Sequence, residues 1–285
     1  MKRRNILAKP DWLKIDLPKT SEYAWMNKTI KENNLHTICT SGKCPNAAEC
    51  WANGTATFMI LGNICTRACK FCNVSTGKPL PPDPKEPERI ARSVKIMKLK
   101  HAVITSVDRD DLSDGGAAIW VETIKQTKKL NPNTTIEVLI PDFYGDEKLI
   151  NSVIEAEPEV ISHNLETVRR LTPKIRSRAK YDVSLSVLQI VAKSDSTNAK
   201  SGIMLGLGEE YEEIIETIKD IANTGAKILT LGQYLQPTIK HAPVHKYVSP
   251  REFEKLKNIA LTYGFKHVES SPLVRSSYHA EKHVQ

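Results

Sequence analysis

The residues best placed to do chemistry are six cysteines near the amino end of the chain, which form two groups of three. The first group has the spacing C-x4-C-x5-C and the second has C-x3-C-x2-C; they comprise Cys39, Cys44 and Cys50, then Cys65, Cys69 and Cys72. Cysteine thiolates are the usual ligands of iron-sulfur clusters. A four-iron cluster that receives only three thiolates keeps one iron free for other chemistry. The pattern therefore predicts two iron-sulfur clusters, with function at the open iron.

Two other uses of six cysteines compete with this interpretation. Three disulfides are typical of short secreted chains, whereas this chain opens MKRRNILAKPDWLK without an apolar signal core. Zinc binds C-x2-C pairs, but tetrahedral zinc takes four ligands, and two triads meet that need only by recruiting His36 or another distant residue. Both alternatives stay open and both are disfavoured.

Composition limits the classes of protein that the chain can represent. Its 285 residues are 40% hydrophobic, enough for a full core, and it contains 41 Lys and Arg against 33 Asp and Glu, a net charge of +8. No apolar run approaches the ~18 residues that span a bilayer, and clustered free thiols favour a reducing compartment. We expect a soluble, cytoplasmic protein without a membrane partner. The basic residues are spread along the chain without a compact basic tract, so an acidic protein partner fits the charge as well as nucleic acid does, and we expect the protein partner.

Strand-like and helix-like segments alternate after the cysteines, which predicts parallel βαβ units. We expect an α/β fold of the partial (β/α)6 TIM-like barrel type, because six units fall short of the eight of a full barrel. Residues 1–54 and 241–285 would be extensions on a barrel formed by 55–240. The predicted strands lie near 57–61, 101–106, 135–140, 159–163, 201–206 and 227–232. The predicted helices lie near 87–98, 115–130, 146–155, 165–172, 182–193 and 210–223.

Polar groups follow several predicted strands, where active-site residues of such barrels lie. The run Asp108–Asp111 leads to Gly115 and Gly116, where the backbone could approach a ligand. Asn164 and Glu166 are suited to hydrogen-bonding a ribose. Gly206 and Gly208 resemble a phosphate-binding turn, although two glycines before a helix are equally typical of an ordinary turn. We expect Gly115, Gly116, Asn164, Glu166 and Gly206 to contact a cofactor.

The second cysteine group, with Phe71 before its last thiolate, resembles the signature of radical S-adenosylmethionine (SAM) enzymes. Nearly the whole chain resembles the lipoyl synthase family within that superfamily. The pairing of C-x4-C-x5-C with RSSY is the discriminating feature, since many reactions share the radical SAM motif. The motifs that carry the resemblance are KPDWLK, both triads, FCNVSTGKP, TSVDRDDLSDGGA, HNLETV, KSGIMLGLGE, LGQYLQP and SPLVRSSYHA.

The resemblance implies two 4Fe-4S clusters and SAM. Cys65, Cys69 and Cys72 would hold the cluster whose open iron binds SAM. Cys39, Cys44 and Cys50 would hold an auxiliary cluster, with Ser277, in preference to Ser276, as its fourth ligand and with the cluster as sulfur donor.

The implied reaction inserts two sulfurs, at carbons six and eight, into an octanoyl group on a lipoyl carrier protein. It would consume two SAM molecules and need a reductant such as ferredoxin or flavodoxin. Lys246 stands where arginine is expected, which weakens any anion contact there. Another sulfur-inserting radical SAM enzyme, an iron-sulfur electron carrier and a zinc-dependent nucleic-acid module are the competing functions.

Overall fold

Seven parallel strands form the main sheet of the computed structural model, which describes residues 7–14, 28, 37 and 46–284. Their spatial order is the chain order, β1-β4-β5-β6-β7-β8-β9, and β2 and β3 form a separate parallel pair. The strands are β1 Thr55–Ile60, β2 Ile64–Cys65, β3 Ser75–Thr76, β4 His101–Ser106, β5 Thr135–Leu139, β6 Val160–Ser162, β7 Asn198–Leu205, β8 Ile228–Gln233 and β9 His267–Ser271. All six residues of β1 are buried, as is typical of a parallel strand that is covered on both faces.

One helix precedes β1, and the others lie between successive strands of the main sheet. In chain order they are α1 Ala47–Ala52, α2 Glu86–Ile96, α3 Ala117–Leu130, α4 Glu147–Ile154, α5 Thr172–Ile175, α6 Tyr181–Ala192, α7 Tyr211–Asn223 and α8 Pro250–Thr262. Their boundaries follow local signals. Helix α8 begins at Pro250, directly after Ser249. The Ser249 side chain accepts a hydrogen bond from the Glu252 N–H, and the Glu252 side chain accepts one from the Ser249 N–H. Among the described residues, no helix is long and apolar enough to cross a membrane.

The predicted α/β fold is confirmed, and every predicted strand overlaps an observed one. The predicted helix over 165–172 is wrong. The Glu166 N–H donates to the Gly202 carbonyl at 3.0 Å, and the Met204 N–H donates to the Glu166 carbonyl at 2.9 Å. This segment therefore pairs with β7, and a short helix starts only at Thr172.

A seventh strand, β9, was not predicted. It pairs in parallel with β8 and follows helix α8, so the segment predicted as a carboxyl-terminal extension contributes a further helix and strand to the sheet. Strands β1 and β9 are the two edges of the sheet.

A stretch that we call the strap, residues 272–284, has partners on both edge strands. Glu281 accepts a hydrogen bond from the Thr55 hydroxyl of β1 at 3.2 Å, and His279 Nδ1 lies 3.7 Å from Glu269 Oε2 of β9. The strap ends in a 3-10 helix, Ala280–Val284. It thereby links the two strands that end the sheet.

The strap also reaches a fully buried polar cluster. Lys200 Nζ of β7 donates to both oxygens of Glu137 of β5, at 2.7 and 2.8 Å, and lies 3.3 Å from His283 Nδ1. His101 of β4 lies beside them, with Nε2 4.0 Å from Glu137. Burial, followed by the charge of Lys200, lowers the pKa of His101 to about 3 and that of His283 to about 2. Both imidazoles are therefore neutral in the folded protein.

Candidate functional site

A cavity of about 580 Å³ opens at the carboxyl ends of the strands. Its lining includes residues at or just beyond the ends of four strands, namely Ser106, Ile140, Asn164 and Gln233. This is the face of a parallel barrel-like sheet at which active sites form. Part of the wall is apolar and part is polar, as in most sites for small molecules.

The structure brings Cys65, Cys69 and Cys72 together on the wall of this cavity. Cys65 ends β2, and its carbonyl accepts from the Gly77 N–H at 3.0 Å, so the β2–β3 pair closes the base of the loop. The Cys72 N–H donates to the Cys69 carbonyl at 3.1 Å, a tight turn that keeps these two thiols near each other. Cys65 is buried, whereas the other two are partly exposed.

The surroundings of Cys65 act in both directions on a negative charge at its sulfur, because backbone N–H groups favour it whereas burial and the Asp108 carboxylate, 3.6 Å away, oppose it. Its Sγ accepts backbone N–H hydrogen bonds from Asp108 at 3.3 Å and from Arg67 at 3.4 Å. Burial raises the pKa of Cys65 to about 12 and the pKa of Cys72 to about 11, so in the protein alone both are thiols. A bound metal deprotonates its thiol ligands outright.

The donor set fits an iron-sulfur cluster. The three thiols of one loop lie at an open cavity, and thiolate is the ligand that such clusters prefer. Among the described residues, no three His, Cys, Asp or Glu side chains form a site for a single metal ion. In a cluster each thiolate binds a different iron, and the backbone N–H groups at Cys65 would stabilise the charge on its sulfur.

Arg67 anchors the cysteine loop to the sheet, a role that the sequence did not reveal. Its guanidinium, 4% exposed, is bidentate to Asp110 at 2.8–3.1 Å and to Asp142 at 2.9–3.0 Å. Burial alone would raise the pKa of Asp110, but hydrogen bonds led by that from Arg67 lower it to about 2. Asp110, in the acidic run after β4, is thus part of this anchor.

Asn164 and Glu166 line the same cavity, as their predicted role requires. The Asn164 amide donates to Glu166 Oε1 at 3.2 Å, while its buried Oδ1 has no hydrogen-bond partner among the described residues. Burial raises the pKa of Glu166. An unpaired buried acceptor and a carboxyl group at a cavity wall are suited to ligand hydroxyl or ammonium groups. Their assignment as SAM contacts stays a prediction.

The three glycines predicted to contact a cofactor are not among the residues that line the cavity. Gly116 has φ +89°, and a Cβ there would lie 2.5 Å from Leu61 Cδ1. Gly115, which precedes Gly116, has φ +58°, and a Cβ there would lie 3.1 Å from Phe143 Cδ1. At Gly206 a Cβ would lie 2.2 Å from Gln233 Nε2. Backbone conformation and close packing also require glycine at these positions, and their role as cofactor contacts stays a prediction.

Ser276 and Ser277, at the opposite end of the chain from the cysteines, also line the cavity. Cys50 lies on α1 and is partly buried, whereas Cys39, Cys44 and His36 lie outside the described residues. Lys246 is largely exposed and forms an ion pair with Glu252 at 2.6 Å. The structure therefore joins one cysteine triad and the serine pair at one cavity.

Comparison with solved structures shows the fold. The hydrogenase maturase HydG from Carboxydothermus hydrogenoformans matches with a TM-score of 0.59 at 14% identity, over 92% of this chain and 69% of that one. Streptococcus suis SuiB bound to S-adenosylmethionine matches with a TM-score of 0.59 at 12% identity, over 79% of this chain and 54% of that one. The family model of the radical SAM superfamily matches residues 59–221. The sheet, the cysteine loop and this match define a radical SAM protein.

Curated relatives show which family of radical SAM proteins the chain belongs to. A lipoyl synthase of Treponema denticola is 62% identical over 97% of this chain and 95% of its own length. A lipoyl synthase of Parabacteroides distasonis is 59% identical over 98% of this chain and 99% of its own. The chain belongs to the lipoyl synthase family.

Proposed function

We propose that this protein is an enzyme that inserts two sulfur atoms, at carbons six and eight, into an octanoyl group carried by a protein. The product would be the lipoyl group. The observation that carries the proposal is the meeting of two distant motifs, the loop of Cys65, Cys69 and Cys72 and the serine pair of RSSY, at one cavity. Relatives that are 55–62% identical over nearly the whole chain are named lipoyl synthases.

The residues of the cavity have separate tasks in this reaction. When bound, a 4Fe-4S cluster and SAM supply a radical able to remove hydrogen from an unactivated C–H bond. Cys65, Cys69 and Cys72 would hold the cluster, and Arg67 would keep their loop fixed against the strand ends. Asn164 would offer its unpaired Oδ1 to a SAM donor group. The apolar part of the lining suits an alkyl chain and excludes water, and it includes Met59, Phe71, Val103, Leu139 and Ile203.

A second 4Fe-4S cluster would supply the sulfur. Cys39, Cys44 and Cys50 would hold it, with Ser277 as fourth ligand. A serine oxygen is a harder donor than a thiolate and is the more easily displaced from iron in such a site. The position of Ser277 on the cavity wall would place this ligand beside the substrate chain.

The partner would be an octanoylated, acidic lipoyl carrier domain. The net charge of +8 favours an acidic partner through long-range attraction. The thiols call for a reducing compartment, the cytoplasm, and for an electron donor such as ferredoxin or flavodoxin. In this proposal residues 1–54 carry the auxiliary triad, 55–240 the SAM site and 241–285 the serine ligand.

Two cysteine variants test the division of labour. Cys69→Ala should abolish reductive cleavage of SAM, because it removes a ligand of the SAM-binding cluster. Cys50→Ala should still form 5'-deoxyadenosine but yield no lipoyl product, because only the sulfur source is lost. Both products can be quantified by mass spectrometry in anaerobic assays with an octanoylated carrier.

Iron and sulfide content, measured for each variant, is the control for loss of the intended cluster alone. Equal loss of SAM cleavage in both variants, with the other cluster intact, would contradict the proposed roles.

A further inference from the structure

Helix α1 and the strap are joined by one acidic side chain, Glu49. The Tyr278 hydroxyl donates to Glu49 Oε1 at 3.2 Å and lies 3.3 Å from Oε2. His279 Nε2 lies 3.4 Å from Oε1 of the same carboxylate. Glu49 directly precedes Cys50, and Tyr278 directly follows Ser277. The contact therefore joins the immediate neighbours of two residues assigned to the auxiliary cluster.

Ring stacking, backbone conformation and a further hydrogen bond show that several tertiary contacts hold α1 and the strap together. The rings of Tyr278 and His279 stack at 3.9 Å with an angle of 23° between their planes. His279 has φ +53°, a left-handed conformation that a non-glycine residue keeps only where tertiary contacts hold it. At the start of α1, the Asn46 amide donates to the Leu273 carbonyl of the strap at 2.7 Å.

The exposure of the contact argues for a geometric role. The Glu49 side chain is 51% exposed, and ion pairs at such positions contribute little to the free energy of unfolding. The hydrogen bonds nevertheless hold Tyr278 and His279, the two residues after Ser277, against α1. Loss of Glu49 should thus alter the placement of Ser277 much more than it alters stability.

We propose that Glu49 is a positioning residue that holds Ser277 in register with Cys50 for the auxiliary cluster. The proposal rests on the proposed function, because it needs that cluster to exist. Tyr278 is its main partner, through a hydrogen bond that an amide oxygen could also accept.

The test compares Glu49→Ala with Glu49→Gln in the full-length protein, with both clusters assembled anaerobically. Glu281→Ala is the matched control, because Glu281 is a strap carboxylate that contacts Thr55, on β1. The measurements are electron paramagnetic resonance of the reduced clusters, lipoyl product per 5'-deoxyadenosine formed, and the melting temperature.

We expect Glu49→Ala to change the spectrum of the auxiliary cluster and leave that of the SAM-binding cluster unchanged. Lipoyl product per SAM cleaved should fall about 10- to 100-fold, the scale of an error of about 1 Å in placement. Glu49→Gln should restore most of the product, and Glu281→Ala should match the wild type. Should Glu49→Ala fail to fold, Tyr278→Phe removes the same hydrogen bond while keeping the ring, and the same losses are expected.

Two results would overturn the proposal. One is a Glu49→Ala enzyme with the wild-type auxiliary spectrum and product ratio. The other is a Glu49→Gln enzyme as defective as Glu49→Ala, which would assign the effect to charge and not to the hydrogen bond. Failure of the proposed function would look different, because the wild type itself would then lack a second cluster or form no lipoyl product.

Discussion

Replacing Arg67 by methionine should strongly destabilise the protein. The guanidinium forms five hydrogen bonds to Asp110 and Asp142, and the three side chains are 4–6% exposed. Methionine fills much of the volume but leaves two buried carboxylates without their cation. Removing one partner of a buried ion pair typically costs about 3–5 kcal/mol. Arg178 still forms an ion pair with Asp110 at 3.0 Å, so Asp142 is the carboxylate that would be left without a cation.

Urea unfolding of the metal-free, reduced protein measures this cost. With a slope of about 3 kcal/mol per molar urea, a loss of about 3–5 kcal/mol lowers the midpoint by roughly 1–1.7 M. Arg67→Lys should fall between methionine and wild type, since lysine keeps the charge but cannot form two bidentate pairs. Asp142→Asn in the Arg67→Met background should recover part of the loss, because it removes the unpaired charge.

The matched control is Arg170→Met, which breaks an exposed pair with Glu213 at 2.6 Å. It should leave the midpoint nearly unchanged. A midpoint for Arg67→Met equal to that of the control would refute the reasoning, as would an Asp142→Asn change that lowers the midpoint further. In the assembled enzyme, Arg67→Met should also slow SAM cleavage, because the cysteine loop loses its anchor.

Two further predictions concern backbone packing and pH. Gly116→Ala should lower the free energy of unfolding by about 1–3 kcal/mol more than Gly264→Ala does. Both glycines have φ near +90°, but only at Gly116 would the new Cβ meet another atom, Leu61 Cδ1, at 2.5 Å. Equal urea midpoints for the two variants would contradict this packing role. The pKa of His101, lowered to about 3, lies below its unfolded value near 6.5, so its contribution to stability is complete above pH 6.5 and declines as pH falls towards 3. From pH 7 to 5 the wild type should lose about 2 kcal/mol more than His101→Phe, and parallel pH profiles for the two proteins would contradict this.

The fold was predictable wherever burial leaves a hydrophobic pattern. Strands β1, β4 and β8 are almost wholly buried, and their apolar sequences indicate strands directly. Strand β9, HVESS, is an edge strand with mostly half-buried polar side chains, so neither an apolar run nor an alternation marks it. In 165–172, Leu165, Val168 and Leu171 have helical spacing and are all buried. Pairing with β7 overrides that local preference.

The residues of the candidate site were likewise predictable only in part from the sequence. The cysteine loop and Asn164 could be placed at the cavity because each follows a predicted strand, and parallel strands end at one edge. The Arg67 anchor joins residues that are far apart in the chain, and no local sequence pattern predicts it. The expected cofactor contacts of Gly115 and Gly116 stay a prediction. Their pattern suits a ligand-binding turn, but the need for a positive φ and close packing yields the same residues.

The wall formed by Ser276 and Ser277 has a consequence for how the protein is made. Cys65 leaves the ribosome well before the strap, which completes its cavity, has been translated. At about 5–20 residues per second, the stretch between Cys65 and Ser277 takes about 10–40 s to synthesise. During that interval the thiols are open to oxidants and stray metals. The cysteine thiols of the nascent chain therefore depend on reducing surroundings before the cavity around them is complete.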